Sequence, residues 1–485
     1  MIRSEFLSTP PAPSWIKKSP GHLHFRHLLY LILVLTSLIS CKTGALTDSK
    51  VVPAVVLPKD SVNVPKVPVY DGIHIQSTEI VNGYTDSTSC FTTDSTKIYL
   101  NAKDSIHNAV VKLFTVNGIQ VDSVKTTIVP QKIVNAKPWE IGYGYKPTFT
   151  YSPSKLASGV YLWENKIPMI VKTNQQKAIT VLYPSNTENA YCESGGFSMY
   201  SNPVAAVTTS FLRPILLSQH STSYLEWINS TPYGSNMRYI ADVDMEDYTS
   251  FKDSKILIII GHSEYWTRQA RLNFDRFIDE VNDAIILSGN TMWWQVRYDR
   301  KINQLICYKN RLADPCPNPL LITINWCEAY LKYFIINSIG GDFDRGGYGQ
   351  NDDKGWNGYK ICLPNSPLLE GTNLKKGDII SLPTAEYDGA PLKKFDNDGY
   401  PVLDNSQLKF NKFEIIGFDL GYRDGQTCGT FMVMKKSQTS GTIINGASLN
   451  WCSPNGLGGK DAEKLKIITT NMIEKLLNKA NVFSN

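Results

Sequence analysis

The sequence has little histidine, little charge and no long apolar run. Only 7 of the 485 residues are histidine, and three of them, His22, His24 and His27, lie in the first forty residues. A metal site built from histidines alone would need most of the remaining four, which argues against such a site. No apolar run reaches the roughly 18 residues of a membrane-spanning helix. The formal net charge of +5 is small for this length and predicts no nucleic-acid partner.

Residues 1–40 have the pattern of an export signal. Basic residues precede an apolar run at residues 28–39, which is too short to cross a bilayer and is typical of a signal-peptide core. The run ends at Ser40-Cys41 and resembles the lipobox of bacterial lipoproteins, in which the cysteine is lipidated. We therefore expect Cys41 to carry a lipid that anchors the exported chain to the cell envelope, at the outer membrane or cell surface. An ordinary secretory signal is the alternative.

Eight cysteines follow Cys41, and none of them forms a C-x-x-C pair. Zinc-ribbon and thioredoxin motifs are therefore excluded. An exported chain can form disulfides, and Cys307 and Cys316, nine residues apart, are the first candidate pair. The sequence leaves the pairing open.

The chain divides into a tether and two predicted domains. Residues 41–71 are rich in Val, Pro, Lys, Ser and Asp and are predicted to form an extended tether, with an edge strand as the alternative. Residues 72–185 contain short β-branched and aromatic runs separated by turns, including an Asn117-Gly118 hairpin signal. We predict a β-sandwich of immunoglobulin or fibronectin type over this stretch, including a strand at 178–183.

Residues 186–485 are predicted to form an α/β domain with a parallel sheet. The continuous apolar run 255–260 is typical of a strand buried on both faces, and 284–287 is a second such run. Between them, Thr267 can cap an amphipathic helix. Strand, helix and strand over about 35 residues make a βαβ unit. Further elements are predicted as strands at 413–418, 429–434 and 442–445, a helix at 461–479 and an irregular loop at 340–358.

Polar side chains follow both apolar strands. His262 and Glu264 come directly after the first, and Asn290 follows the second. Ligands bind beyond the carboxyl ends of such strands, so these side chains are expected to converge on one crevice. Each also has an ordinary structural explanation, as an ion-pair partner, a helix cap or a turn residue. Ser263 does not fit a nucleophile elbow, because Tyr265 occupies the position that needs a small residue.

These motifs resemble the C-terminal domain family of the N,N-dimethylformamidase large (beta) subunit. The resemblance rests on G-H-S-E-Y-W at 261–266 and S-G-N-T-M-W-W-Q-V-R at 288–297. It extends to A-Y-C at 190–192, G-G-F-S-M-Y at 195–200 and E-Y-D-G at 386–389. The resemblance implies a glutamine-amidotransferase-like (trehalose-utilisation-like) α/β catalytic domain that follows the sandwich.

The resemblance also implies a mononuclear iron (Fe3+) that is held by two tyrosines and one glutamate and serves the hydrolysis of an unactivated amide. It assigns Glu264 as the metal carboxylate, Tyr191 as one phenolate ligand, and His262, Asn290 and Glu386 as catalytic neighbours. The second tyrosine is assigned to Tyr145, with Tyr143 and Tyr151 left open. Phenolate and carboxylate are hard oxygen donors that suit a highly charged ion.

The sequence thus favours a metal-dependent hydrolase of a C–N amide bond in a small or surface-accessible substrate. The alternative is a non-catalytic surface lipoprotein in which Trp266, Trp293 and Trp294 stack on a sugar or hold a peptide. A surface protein with a decayed site is a third hypothesis. A homo-oligomer remains open, and the expected membrane contact is through the lipid.

Overall fold

Two β-sheets over one apolar core form the first part of the described chain. The structure, a computed structural model, describes residues 73–74, 80–349 and 355–484. The smaller sheet has three strands, Ile80–Thr85, Thr96–Ala102 and Phe149–Tyr151. The larger has six, Ile73–His74, Ser89–Phe91, Ile106–Thr115, Gln120–Ile128, Gly159–Trp163 and Ile167–Lys172. The predicted Asn117-Gly118 turn joins two of these strands, and the predicted signal peptide, Cys41 and the tether 41–71 lie outside the described residues.

Alternating side chains of the two sheets fill this core. In Thr96–Ala102, every second residue is buried, as a strand with one covered face requires. Trp163 is fully buried, and its ring contacts Phe149 and Tyr151 edge-on at centroid distances of 5.3 and 4.8 Å. The aromatic cluster therefore joins the larger sheet to the smaller one.

The second part of the chain contains an eleven-stranded mixed sheet. Five neighbouring strands are parallel, in the order Met237–Ala241, Ile179–Tyr183, Ile256–Gly261, Asp283–Ser288 and Thr442–Asn445. All six residues of Ile256–Gly261 are buried, as its apolar run predicts. The remaining strands extend the sheet in antiparallel fashion: Gln426–Lys435, Lys412–Tyr422, Gly347–Tyr348, Glu386–Gly389, Gly358–Ile361 and Ile379–Ser381.

The strand Ile179–Tyr183 lies in the parallel sheet and not in the sandwich, so the predicted domain boundary at residue 185 is wrong for this strand. It pairs with Met237–Ala241 on one side and Ile256–Gly261 on the other. All five of its residues are buried, because helices and loops cover both faces of a parallel strand. The sandwich packs alongside the same sheet, with Ser158 Oγ accepting a hydrogen bond of 2.9 Å from Tyr239 N–H. The described residues all belong to one unit.

Four helices contact strands of the large sheet, namely Gln219–Ile228, Arg268–Asp279, Phe343–Gly346 and Ala462–Leu477. Thr267 Oγ1 accepts a hydrogen bond from Ala270 N–H, so the predicted cap begins the helix Arg268–Asp279. The remaining α-helices are Pro138–Ile141, Ser185–Tyr191 and Ile336–Ile339. The described residues contain no helix that is long and apolar enough to cross a membrane.

Smaller elements complete the described chain. A four-stranded sheet is formed by Thr208–Ser210, Gln304–Ile306, Trp294–Asp299 and Tyr265–Thr267, and a hairpin by Leu392–Phe395 and Pro401–Leu403. Single turns of 3-10 helix lie at Gly234–Asn236, Asp242–Glu246, Tyr248–Ser250, Pro319–Leu321, Ala329–Leu331, Pro367–Leu369 and Asn405–Gln407. The stretch predicted as an irregular loop at 340–358 therefore holds the short helix Phe343–Gly346 and strands on either side of its undescribed segment.

The candidate disulfide between Cys307 and Cys316 is not formed. Both are free thiols, as are the other six cysteines in the described part of the chain. The Cys307 thiol is buried and donates to the Gln295 carbonyl, whereas the Cys316 thiol donates to the Asn318 carbonyl. The two side chains thus have separate backbone partners, and their spacing in sequence does not bring the sulfurs together.

Asp242 anchors the helix Ser185–Tyr191 and gives a test of the fold by pH. Its carboxylate accepts a hydrogen bond of 2.7 Å from Asn186 N–H, and burial raises the pKa of Asp242 to about 8. The unfolded value is about 3.9, so the folded state loses stability as pH rises from about 4 to about 8. Asp242→Asn carries no such charge. Its free energy of unfolding relative to that of wild type should therefore rise by about 2 kcal/mol or more from about pH 5 to about pH 9, since each pKa unit corresponds to about 1.4 kcal/mol.

Urea unfolding of both proteins at the two pH values measures this difference. The neighbouring Glu188, whose pKa burial also raises to about 8, is present in both proteins. Because the charge of Glu188 helps to raise the pKa of Asp242, removal of the Asp242 charge should ease the ionisation of Glu188 and increase the difference. A difference in unfolding free energy between variant and wild type that stays constant with pH would contradict the expected titration of Asp242.

Candidate active site

The polar residues predicted to converge lie at the carboxyl edge of the parallel sheet. Gly261 and Ser288 are register partners at the ends of adjacent strands. The chain continues from the first into His262 and Glu264, and from the second into Asn290. The side chains of all three are buried. Strand pairing therefore brings residues that are 26 positions apart in sequence into one crevice.

Glu386 joins this crevice from the strand Glu386–Gly389. The Nε2 atom of His262 lies 3.2 Å from Glu386 Oε2 and 3.4 Å from Glu264 Oε2. Asn290 donates a hydrogen bond of 3.1 Å to Glu386. The structure thus places His262, Glu264, Asn290 and Glu386 in contact.

The two carboxylates favour the charged form of His262. Burial lowers the pKa of His262, but the neighbouring Glu386 and Glu264 carboxylates outweigh it and leave the pKa raised. Burial raises the pKa of Glu264, and Glu386 raises it further, whereas His262 opposes the shift. The crevice therefore holds ionisable groups whose proton affinities depend on one another, as reaction sites commonly do.

Asp388 fixes the turn that presents Asn290. Its buried carboxylate accepts from Thr291 N–H at 3.2 Å, and burial raises the pKa of Asp388 to about 7. The two neighbours of Thr291 have left-handed backbones, with φ of 54° at Asn290 and 58° at Met292. Such conformations cost energy in residues other than glycine and persist where surrounding contacts enforce them. Asp388 supplies one such contact from the strand that also carries Glu386.

Two tyrosines line the other side of Glu264. Tyr191 is the last residue of the helix Ser185–Tyr191, and its ring stacks on Tyr200 with centroids 4.1 Å apart. The Tyr200 hydroxyl donates a hydrogen bond of 2.6 Å to Glu264 Oε1. Burial, reinforced by Glu264, raises the pKa of both tyrosines well above the ordinary value. Without a compensating cation, both phenols therefore stay protonated.

Tyr145, predicted as the second tyrosine ligand, lies elsewhere. Its hydroxyl donates to Asn82 at 3.2 Å and accepts from Asn101 at 3.3 Å, and its ring packs against Tyr84 and Tyr143 in a cluster beside the sandwich. Tyr143 is in the same cluster, and the hydroxyl of the remaining alternative, Tyr151, donates to Asp122. Tyr200, and not Tyr145, is the second tyrosine that lies beside Glu264.

Sequence reasoning missed two further neighbours of the site. The Lys309 ammonium lies 3.5 Å from the centre of the Tyr200 ring and donates to the Met199 carbonyl at 3.1 Å. The His220 ring lies 6.0 Å from His262, and burial lowers the pKa of His220 to about 3, so that it is neutral. No sequence signal marked either residue, whereas Tyr200 ends the motif at 195–200.

The chain is similar to known proteins over most of its length. The family model described as "N,N-dimethylformamidase beta subunit-like, C-terminal" matches residues 116–460. The chain belongs to this family. A search of curated proteins finds no match. Among solved structures, a ThuA-like protein from Bacteroides uniformis is similar at 11% identity and a TM-score of 0.32, over 64% of this chain and 94% of that one.

The donor atoms of this dimethylformamidase-like site fit a cation. Among the described residues, Asn290 Oδ1 is buried without a hydrogen-bond partner, and Glu264 Oε2 makes no hydrogen bond and has only its ion-pair contact of 3.4 Å with His262; a buried carboxylate oxygen so placed is stabilised by a further cation. No three His, Cys, Asp or Glu side chains of the described residues are placed to hold a metal. A metal here would therefore need the two phenols together with Glu264.

Proposed function

We propose that this protein is a metal-dependent hydrolase of a C–N amide bond in a small or surface-accessible substrate. The observation that carries the proposal is the contact of Tyr200, Glu264 and His262 at the carboxyl edge of the sheet, in a chain of the dimethylformamidase-like family. Oxygen donors lie on one side of Glu264, and proton-carrying groups lie on the other. This division matches a reaction in which a carbonyl is polarised and protons are moved.

Tyr191, Tyr200 and Glu264 would hold the metal, which we propose to be Fe3+. Three anionic oxygen donors balance the charge of a trivalent ion and suit its hardness. Burial and Glu264 raise the pKa of both tyrosines, so only a strong positive charge would keep the phenols ionised near neutral pH. When bound, the ion would supply Lewis-acid polarisation of the amide carbonyl and acidify water.

The other side chains of the crevice move protons and orient the substrate. Glu386 accepts a proton from the attacking water, and the His262 imidazolium 3.2 Å away delivers one to the leaving nitrogen. Water and amide thereby give a carboxylic acid and an amine. Asn290 holds Glu386 in place through its 3.1 Å hydrogen bond. Lys309 places a positive charge on the face of Tyr200, which favours the ionised phenol.

The alternative of a sugar- or peptide-binding protein is not favoured. It requires tryptophan faces that are open to a ligand, yet Trp266 is 1% exposed and Trp293 is 4% exposed. The third, Trp294, is half-buried, and the Lys309 ammonium lies 5.0 Å from the centre of its ring. Trp266 packs against Phe274, and its Nε1–H donates to the Ser263 carbonyl. Ser263 Oγ accepts from the same ring nitrogen, so this hydroxyl is part of the core rather than a nucleophile.

Two broader proposals accompany this function. The order of the five parallel strands supports a glutamine-amidotransferase-like fold for the catalytic part. The basic and apolar pattern of residues 1–40 and the lipobox-like end at Cys41 support export and a lipid anchor in the cell envelope. Lipid analysis of the exported chain beside Cys41→Ser tests the anchor.

Elemental analysis of natively purified protein, wild type beside Glu264→Ala, tests the function. We expect near-stoichiometric iron and a phenolate-to-iron colour in wild type and the loss of both in the variant. Release of amine from small N-substituted amides should disappear together with the metal. Glu463→Ala, at an exposed position of the terminal helix, is the control that should retain iron. A colourless, metal-free wild type would overturn the proposal.

A further inference from the structure

Arg213 is a buried cation whose hydrogen bonds surround one segment of the site. Its side chain is fully buried just after the strand Thr208–Ser210. Each of its three nitrogens donates to oxygens of the main chain, and one of them also reaches an amide side chain. The acceptors are Ser210 O (3.0 Å), Cys192 O (2.8 Å), Ser194 O (2.6 Å), Phe197 O (3.5 Å), Asn189 O (2.8 Å) and Asn189 Oδ1 (2.9 Å).

These acceptors bracket the chain between the two tyrosines. Asn189 and Cys192 lie on either side of Tyr191, and Phe197 lies three residues before Tyr200. The segment closes on itself through a hydrogen bond of 2.8 Å from Met199 N–H to Ala190 O. The path from Tyr191 to Tyr200 is therefore a loop folded around one guanidinium group.

A close backbone approach holds the outer side of this loop. Gly195 has a φ of +89°, and a Cβ atom there would lie 2.8 Å from the Trp139 backbone nitrogen. The Phe197 ring also contacts the Trp139 ring at 4.7 Å. With Arg213 inside and Trp139 outside, the loop has little freedom to change the distance between the tyrosines.

The chemistry of arginine fits this role better than that of any other side chain. A buried charge is costly unless hydrogen bonds satisfy it, and guanidinium offers five N–H donors in a rigid planar fork. A lysine would present three donors from a single nitrogen and would leave carbonyls of the loop without partners. The hydrogen bonds of this buried guanidinium fix the shape of one loop and, through it, the positions of Tyr191 and Tyr200.

We propose that Arg213 is a positioning residue that sets the separation of the Tyr191 and Tyr200 hydroxyls at the value required for binding metal with Glu264. The inference rests on the proposed function. Arg213 would act through the loop and not by contact with the metal or substrate. Its removal should therefore change how the tyrosines bind iron more than it changes the fold.

Arg213→Lys, compared with Arg271→Lys, tests the proposal. Arg271 is equally buried but belongs to the helix Arg268–Asp279, where it stacks on Trp326 and Tyr333 and donates to Ser338. Both variants should lower Tm, because both lose buried hydrogen bonds. Only Arg213→Lys should weaken Fe3+ binding, by about tenfold or more as for other supports of metal ligands, and shift the phenolate-to-iron absorption band.

A second variant covers the case in which Arg213→Lys does not fold. Asn189→Ala keeps the guanidinium and removes one acceptor, Asn189 Oδ1, and should shift the band in the same direction by a smaller amount. Equal effects of the Arg213 and Arg271 variants on iron binding, or an unshifted band in both loop variants, would overturn the inference while the proposed function stands. A wild type that binds no Fe3+ would overturn both.

Discussion

Tyr200→Phe is expected to leave the protein without its metal and without turnover. The substitution removes one hydroxyl, the one that donates to Glu264 at 2.6 Å, and keeps the ring that stacks on Tyr191. Iron affinity should fall by at least ~100-fold, since even the outer partners of metal ligands contribute about 10- to 100-fold. Iron content and the absorption band of the purified variant measure the loss.

Tyr145→Phe is the matched control, because it makes the same change at the position that the sequence favoured. This variant should lose about 1–2 kcal/mol of unfolding free energy with its hydrogen bonds to Asn82 and Asn101. Its iron content, colour and rate should equal those of wild type. If Tyr145→Phe lost iron and Tyr200→Phe retained it, the assignment of the second ligand would be reversed.

Glu386→Gln is expected to retain iron and lose catalysis. Glutamine keeps the shape of the side chain. Its carbonyl can still accept the hydrogen bond that Asn290 donates to Glu386 at 3.1 Å. It cannot accept a proton from water, and proton transfer by a placed side chain contributes about 10²- to 10⁴-fold to rate. We expect kcat to fall by about that factor, with the phenolate band unchanged.

Steady-state rates and iron content, measured on the same preparation, separate catalysis from metal loss. Glu370→Gln is the control, because that carboxylate is paired with Lys475 on the surface at 2.7 Å. It should leave kcat and KM at wild-type values. A full rate for Glu386→Gln would exclude Glu386 as the base and would transfer that role to His262.

The regular elements could be predicted where their pattern is local. The apolar run at Ile256–Gly261 and the capped helix Arg268–Asp279 follow from hydrophobic periodicity and from Thr267. The sheet to which the strand Ile179–Tyr183 belongs could not be predicted in this way. Its residues are as apolar as those of a sandwich strand, and only its partners at Met237–Ala241 and Ile256–Gly261 decide which sheet it joins. Pairing over such distances leaves no local signal.

The site could be predicted in part for the same reason. His262, Glu264 and Asn290 follow strands whose adjacency the βαβ pattern indicates. Glu386 and Tyr191 came from the family resemblance. The identification of Tyr200 required knowledge of how the loop folds around Arg213. Lys309 reaches the Tyr200 ring from a different part of the chain. Contacts of this kind depend on tertiary packing and not on spacing in sequence.

The packing of the sandwich against Met237–Ala241 has a consequence for handling the catalytic part alone. Met237–Ala241 is the last strand of the large sheet on that side, and Ser158 contacts its Tyr239 N–H. A chain shortened to begin after the sandwich would leave the Tyr239 N–H without its acceptor and would expose the apolar residues of this strand that pack with Val160 and Ile170. Such edges recruit further strands. By covering this edge strand, the sandwich prevents self-association. The isolated catalytic part should therefore form insoluble aggregates.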